Sequence, residues 1–352
     1  MSFQSVAHVE FDAETQAFQR FIGEFRRFWA GPLYRRLRDD AAQLADGRGA
    51  ADFDRSLQNL PSHQFFGWLE YNLQRLKYSS HWGIVPAVER QRRRLEHEIE
   101  DFLPRDRATE NPSLRMPDYY EENDFHAHPG GLGHDPIAAV IYRESAGATG
   151  GVVSKHELHQ RFAHKVLSRS KPKRVLDIGC GFGRSAFAFT AAESEIEVVG
   201  VDLSPSCVRL AAYQSNERPD SLRTRFIQAN GTSIPLPDGT FDLVTSTMLL
   251  HELPPEAIRG VIAESHRLLA PHGVAAHLDF LPPDDRFLKA LYYGHSERNA
   301  EPFMRTLAAM DLATEHKAAG FTAYETLDFA EDDQPRGETW RLPWTIMRAT
   351  KG

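Results

Sequence analysis

The stretch VLDIGCGFGRSAFAF, Val175 to Phe189, decides how this chain is read. Its apolar start predicts a buried strand ending at Asp177 and Ile178. Glycines follow at 179, 181 and 183, and a helix opens at about Arg184. Glycines let the backbone turn and let a ligand come close to the main chain. The helix beyond them offers unpaired N–H groups and the positive end of its dipole. The next strand, in EVVGVDLSPSCVRLA, closes on Val201 and Asp202, about 20 positions beyond the turn, where a carboxylate can accept both hydrogen bonds of a ribose diol. Strand, turn, helix, strand and terminal acid in this order point to a nucleoside site.

The charge around the turn selects the nucleoside. Dinucleotide folds favour Gly-x-Gly-x-x-Gly, whereas here an acid, Asp177, precedes Gly179, Gly181 and Gly183. Asp177 would repel a pyrophosphate and attract an ammonium group, which favours S-adenosyl-L-methionine over a nicotinamide cofactor.

Outward from the turn, short apolar runs alternate with helical segments, the pattern of βαβ units around a parallel sheet. Strands are predicted at Arg174–Ile178, Val198–Val201, Thr224–Gln228, Phe241–Thr247, Gly273–Phe280, Thr322–Phe329 and Leu342–Ala349. Helices are predicted at about Arg184–Ala192, Pro205–Ser215, Pro255–Leu269 and Glu301–Ala319. With no helix between them, the last two strands should pair antiparallel. The expected fold is α/β: a Rossmann-like seven-stranded sheet with an antiparallel last strand, plus an N-terminal, mostly α-helical domain.

Before residue 105 the apolar residues recur at helical spacing. Phe18, Phe21, Ile22, Phe25, Phe28 and Trp29 form one stripe, which Gly31-Pro32 interrupts. A second stripe runs from Phe65 to Leu76 and a third helix from about Val85 to Phe102. The arginines from Arg90 to Arg94 alternate with glutamates, as on a solvated face with i, i+4 ion pairs. Pro104, Pro112 and Pro117 then punctuate a loop that leads to DFHAHPGGLGHD and a glycine-rich, flexible connection. The expected division is a helical cap or dimerisation domain at 1–125, a connecting segment that could serve as a lid at 126–154, and the α/β domain at 155–352.

Three further stretches extend the reading. RFIQANGTSIPLPDGTFDLVTSTMLLHELP (Arg225 to Pro254), ESHRLLAPHGVAAHLDF (Glu264 to Phe280) and the reversed final hairpin, together with the glycine turn, resemble the class I S-adenosylmethionine-dependent methyltransferases. The likeness is to the small-molecule group related to ubiquinone-biosynthesis enzymes. The resemblance implies S-adenosyl-L-methionine as cofactor and S-adenosyl-L-homocysteine as product. It places Asp177, Gly179, Gly181 and Gly183 under the methionine portion, with Cys180 inside that turn and given no chemistry of its own. Asp202 is implied at the ribose and Leu203 at the adenine. Asn230 and Gly231 stand where the family has Asp-Ala, and Thr247 flanks the methionine portion. Asparagine keeps an accepting oxygen for the adenine amino group but lacks the charge.

Methyl transfer needs nucleophile, methyl and sulfur in line in a water-poor pocket, and a hydroxyl acceptor usually needs a base or a metal. His251, just after the fourth strand, is the base candidate, since ligands of open α/β sheets sit beyond the strands' carboxyl ends. A scaffold role for His251 and Glu252 is the simpler alternative. His126 and His128, at i and i+2, could ligate a metal, but a polar loop bonded to backbone and water accounts for them more simply, and no metal is assigned. As a lid, this segment with Tyr142 would reach cofactor or substrate. His277, Asp279 and His295 fall at or after the fifth strand, and Tyr292 lies in an aromatic stretch that suits either a substrate wall or plain core.

The 352 residues carry 41 Lys and Arg against 49 Asp and Glu, a net charge of −8, so the basic excess of a nucleic-acid binder is missing. Two cysteines, Cys180 and Cys207, cannot build a disulfide framework. No apolar run approaches the ~20 residues that cross a bilayer, and the first residues lack the features of a secretory signal. The expectation is a cytoplasmic protein, without nucleic-acid or membrane partners, that methylates a small, partly apolar metabolite. A homodimer through the helical domain, an RNA or protein substrate, and a non-catalytic cofactor-binding scaffold are the alternatives.

Overall fold

A computed structural model describes residues 7–44, 50–149, 157–331, 333 and 337–352. The N-terminal half is helical. Helix α1 (Ala13–Phe28) starts where Asp12 Oδ1 accepts the Thr15 N–H at 2.8 Å; Glu14 in its first turn and Arg26 and Arg27 in its last complement the dipole. Of its predicted stripe, Ile22 and Trp29 go inside, while Phe21 and Phe28 stay exposed. Gly31-Pro32 does not break the helix, contrary to expectation. A five-residue π turn, Trp29–Leu33, carries the chain into α2 (Tyr34–Ala42). The wider turn accommodates the proline, which lacks an N–H and would clash in a regular helix. The Trp29 indole donates to the Phe66 carbonyl at 3.0 Å and anchors the turn.

After α3 (Ala50–Gln58), the second stripe lies on α4 (Pro61–Ser79). The third predicted helix is two, α5 (Ile84–Glu89) and α6 (Arg92–Asp101). Its arginines pair as expected, Arg92 with Glu96 at 3.0 Å and Arg94 with Glu98 at 2.9 Å. Arg92 also makes a bidentate pair with Asp135, at 2.8 and 2.7 Å, and ties down the following loop. That loop holds the two-residue strand β1 (Ala108–Thr109) and one helical turn, α7 (Asp118–Glu121).

The glycine-rich connection is not all loop. Residues Ala138–Thr149 form helix α8, and Ile137, Val140 and Ile141 are buried. Its apolar face is what the glycine count concealed. Gly150, Gly151 and the boundary expected at 154 lie outside the described residues.

Helix α9 (Glu157–Leu167) leads into the sheet. Then follow β2 (Arg174–Ile178), α10 (Arg184–Ala192), β3 (Glu197–Asp202), α11 (Pro205–Ser215), β4 (Thr224–Gln228), β5 (Phe241–Thr247), α12 (Pro255–Leu268) and β6 (Leu269–Phe280). The rest is α13 (Arg286–Arg298), α14 (Met304–Ala309), α15 (Leu312–Ala318), β7 (Phe321–Asp328) and β8 (Trp344–Lys351). The helix predicted over 301–319 is thus two short ones, the second capped by Asp311, whose Oδ1 accepts the Thr314 N–H at 3.1 Å.

The strand order is β1-β4-β3-β2-β5-β6-β8-β7, and β8 alone is antiparallel to its neighbours. The seven predicted strands are all present, and β1, from the N-terminal half, adds an eighth at the edge. Strand β2 has β3 on one side and β5 on the other, so the chain reverses its direction of progress there. A crevice opens at the carboxyl ends of these three strands, the usual ligand position of such sheets. Among the described residues no helix is long and apolar enough to cross a membrane.

The N-terminal helices and the sheet half share buried contacts. Phe287 and Leu291 of α13 pack with Tyr34, Phe66 and Trp340, so this stretch is core and not the substrate wall considered above. Beside them Glu70 of α4, 2% exposed, accepts from His295 at 2.6 Å, from Arg298 and from Asn299 at 3.3 Å. Burial works to raise its pKa, but the two cations outweigh burial and hold the carboxyl below its ordinary value. Removing one member of a buried charged cluster leaves the others unpaired, at a cost of ~3–5 kcal/mol. Urea unfolding of Glu70→Ala should show a loss of that order; a loss below ~1 kcal/mol, the level of an exposed ion pair, would contradict the anchoring role.

Candidate active site

The turn after β2 is the floor of the crevice. Gly179 and Cys180 both donate their N–H to the Val201 carbonyl, at 2.8 and 3.0 Å, which locks the turn to β3. Gly179 and Gly181 have φ of 69° and 51°, the left-handed region that glycine takes without strain. A Cβ on Gly179 would also come within 2.8 Å of Leu249. At the end of β3, Asp202 accepts the Gly181 N–H at 2.8 Å through Oδ2 and the Ser204 N–H at 2.9 Å through Oδ1. Each oxygen keeps capacity for one further donor. Burial lifts this acid's pKa to about 6.

The pocket wall includes Gly179, Gly181, Asp202, Leu203, Asn230, Gly231 and Thr247, all expected there. Thr247 carries a buried hydroxyl with no partner among the described residues. From the N-terminal half, Tyr119, Tyr120, Phe125, His126, His128 and Tyr142 close over the crevice. Tyr142 packs edge-on to Phe182, and Ser204 ties the roof down by donating to the Leu132 carbonyl at 2.6 Å.

Other expected residues lie elsewhere. Asp177 is fully buried beneath the turn, accepting from the Ser185 and Thr245 hydroxyls, and does not reach the wall. Burial lifts its pKa to about 7, and its bond to Ser185 orients the start of α10. The direct ammonium contact expected from the sequence is therefore not available to it. Cys180 turns under β3, where a Cβ on Gly200 would meet its Sγ at 2.8 Å. Gly183 faces Phe187 and Ala211 and is a packing glycine. Asn230 reaches the wall, but its Oδ1 already accepts the Thr232 N–H and hydroxyl, both at 2.9 Å. That oxygen has no lone pair left for the adenine amino group.

An ionisable cluster borders the pocket. His126, in a short 3₁₀ turn with φ 57°, sets Nδ1 at 2.8 Å from Glu301 and Nε2 at 2.7 Å from Glu252. Burial would lower its pKa, but the two glutamates raise it to about 10. His251 sets Nδ1 at 2.7 Å from Asp279 Oδ1, while Asp279 Oδ2 accepts the Leu250 N–H at 2.7 Å. Nε2 of His251 is buried without a hydrogen-bond partner among the described residues and points toward Glu252 Oε1, 4.0 Å away. His251 thus stands one layer behind the wall that Glu252 and His126 form. Burial would lower its pKa too, and Asp279 reverses the direction.

The remaining histidines separate by environment. His128 reaches the wall but packs edge-on to Tyr78, apart from His126's partners. His295 lies deeper, between Glu70 and Glu301. His277 bonds the Ser246 hydroxyl inside the core, where burial lowers its pKa to about 3. Tyr292 is fully buried, donating to the Phe280 and Met304 carbonyls. Tyr142, His126 and His128 line the pocket as the lid expectation had it, whereas Glu301 and the part of the roof made by Tyr119, Tyr120 and Phe125 were not foreseen from the sequence. A lone glutamate after a helix gives no signal that it will be buried between two histidines.

Residues 175–273 match the family model described as a methyltransferase domain. The chain is 32% identical over 139 residues to a demethylmenaquinone methyltransferase of Thermus thermophilus, covering 40% of this chain and 61% of the relative. It is 34% identical over 135 residues to a ubiquinone/menaquinone biosynthesis C-methyltransferase of Geotalea uraniireducens, covering 38% and 57%. The chain therefore spans about three fifths of the length of these curated relatives, at 61% and 57%. A crystal structure of a candidate O-methyltransferase from Nostoc punctiforme shares the fold over 96% of both chains, with a TM-score of 0.51 at 14% identity. That likeness includes the helical N-terminal half. The left-handed glycine turn, the acid with spare accepting capacity and the unpartnered Thr247 hydroxyl fit a sulfonium nucleoside. The chain carries a class I methyltransferase domain, whose cofactor is S-adenosyl-L-methionine.

Proposed function

We propose that this protein transfers the methyl group of S-adenosyl-L-methionine to a small, partly apolar metabolite whose reacting group lies against Glu252 and His126. The observation that carries the reading is the roofed crevice, with glycine turn and Asp202 on one side, aromatic rings above, and ionisable groups at one end. A pocket covered by residues 119–142 suits a small molecule better than a polymer. The names of the relatives, one for demethylmenaquinone and one for ubiquinone/menaquinone biosynthesis, favour a partly apolar acceptor.

Bound cofactor supplies an electrophilic methyl group on a cationic sulfur. The chain's own residues do the rest. Asp202 would accept from the ribose diol and Leu203 would face the base, while Gly179 and Gly181 would let the backbone approach the methionine portion. Asn230 would flank the base without receiving its amino group, its Oδ1 being taken by Thr232. Tyr119, Tyr120 and Tyr142 exclude water, as an in-line displacement requires. Glu252 and His126 face the acceptor, and His251, held by Asp279, backs them as a positioning residue with Nε2 turned toward Glu252. Residues 1–125 serve as the cap, with 126–149 as its inner lining.

Calorimetry with S-adenosyl-L-methionine at neutral pH should show Asp202→Ala weakening affinity about 10- to 100-fold, the loss of charge-assisted hydrogen bonds. Unchanged affinity would exclude this site. Because Asp202 titrates at about 6 in the folded chain, affinity should fall as pH drops through that value, and Asp202→Asn should flatten the profile. The free protein should show the opposite trend in stability. A carboxyl raised above its ordinary 3.8 contributes stability at low pH that is lost as pH rises through about 6. The urea midpoint of wild type should therefore fall relative to Asp202→Asn across this window. His251→Asn should cut transfer of labelled methyl to a small-molecule extract by ~10²-fold or more while cofactor affinity holds; equal loss of both would reduce His251 to scaffold.

A further inference from the structure

The ionisable end of the pocket is built like a ligand set. One ring nitrogen each of His126 and His251 and a Glu252 carboxylate oxygen lie within 4.8 Å of one another. A tetrahedral cation with bonds of ~2.1 Å spaces its ligands by roughly 3.4 Å. The separations here, 2.7 Å from His126 to Glu252 and 4.0 Å from His251 to Glu252, straddle that value.

The surroundings add a second, independent argument. Both imidazoles rest Nδ1 on a carboxylate, His251 on Asp279 and His126 on Glu301, and so direct Nε2 inward. Such carboxylate–histidine pairs are the outer shell that fixes tautomer and ring orientation in metal sites. Asp279 is itself held by the Leu250 N–H, and Glu301 is buried. Nε2 of His251 has no hydrogen-bond partner among the described residues, and 4.0 Å is too far for a hydrogen bond to Glu252. A cation between the three groups would satisfy that atom and draw the carboxylate in.

We infer that the chain binds one divalent ion of the zinc class through Nε2 of His126, Nε2 of His251 and the carboxylate of Glu252. The fourth position opens to the pocket and takes the oxygen of the methyl acceptor. Imidazole and carboxylate donors suit Zn²⁺ or Co²⁺, and three protein ligands with one open position make a catalytic rather than a structural site. The inference rests on the methyl-transfer reading of the same pocket and names its acceptor as a hydroxyl compound. Metal binding lowers the hydroxyl's pKa, and the released proton passes to water. His126 and His128, two positions apart, are not the ligand pair, because His128 packs on Tyr78.

The test is titration of the full-length, chelator-treated chain with Co²⁺, read by visible absorption, alongside equilibrium dialysis with Zn²⁺. One saturable ion per chain is expected, with the visible bands of four- or five-coordinate Co²⁺. His126→Ala and Glu252→Gln should each weaken it at least ~10-fold, since even an outer-shell change costs 10- to 100-fold. Both variants should still bind S-adenosyl-L-homocysteine, which shows an intact fold. No saturable uptake below about 1 mM (a binding free energy near −4 kcal/mol), or affinity indifferent to both substitutions, overturns the site. Labelled methyl transfer to the small-molecule extract should vanish in the ion-free protein and return with Zn²⁺ or Co²⁺; transfer that persists without the ion overturns its role. An ion bound by a chain that ignores S-adenosyl-L-homocysteine overturns the methyl-transfer reading instead and leaves the ion site standing.

Discussion

The hydrogen bond from the Gly181 N–H to Asp202 joins the two halves of the cofactor crevice. It can form only because Gly181 takes a left-handed backbone and because β2 and β3 lie side by side in parallel register, Ile178 opposite Val201. The same parallel pairing lets the Val201 carbonyl receive two N–H groups of the turn. Sheet register, turn conformation and the placement of one carboxylate are therefore a single constraint. Asp177, beneath, fixes the start of α10 through Ser185 and holds the turn from the other side.

Around that floor the N-terminal half supplies what a bare sheet lacks. Strand β1 extends the sheet, α8 packs on the layer that holds α11, and the Arg92–Asp135 pair fixes the loop whose residues roof the crevice. The roof then meets the sheet domain through alternating charges. Glu70, His295, Glu301, His126 and Glu252 follow one another, each within ion-pair distance of the next. Burying so many charged groups is tolerable only when each is paired. The chain of pairs fixes the position of His126, and with it the polar end of the pocket.

How much of this was legible from sequence follows from the range of the interactions. The sheet was readable because apolar runs and glycine punctuation are local: β2, β4, β5, α10 and α11 fall at the predicted residues. Helix α8 was hidden by glycines on either side of a short apolar face. The π turn at Trp29–Leu33 was unreadable because Gly-Pro signals a break whether or not packing overrides it. At the site, Asp202, Gly179 and Gly181 came from motif order, and Thr247 from the family resemblance. Asp177 was misplaced because a charge argument says which groups attract, not which way a side chain turns. Asn230 was misjudged because its oxygen is consumed by Thr232, two residues on. His126, His251 and Glu252 were each singled out locally, but that His126 meets the His251-Glu252 pair, more than a hundred positions away, has no local trace.

The crystal structure of the chain with S-adenosyl-L-homocysteine tests the central claim most directly. The account predicts the ribose diol on the Asp202 carboxylate, the base along Leu203, and the amino-acid portion over Gly179 and Gly181 near the Thr247 hydroxyl. Density for the nucleoside anywhere else, or the crevice filled by the roof's aromatic rings at saturating ligand, would contradict it.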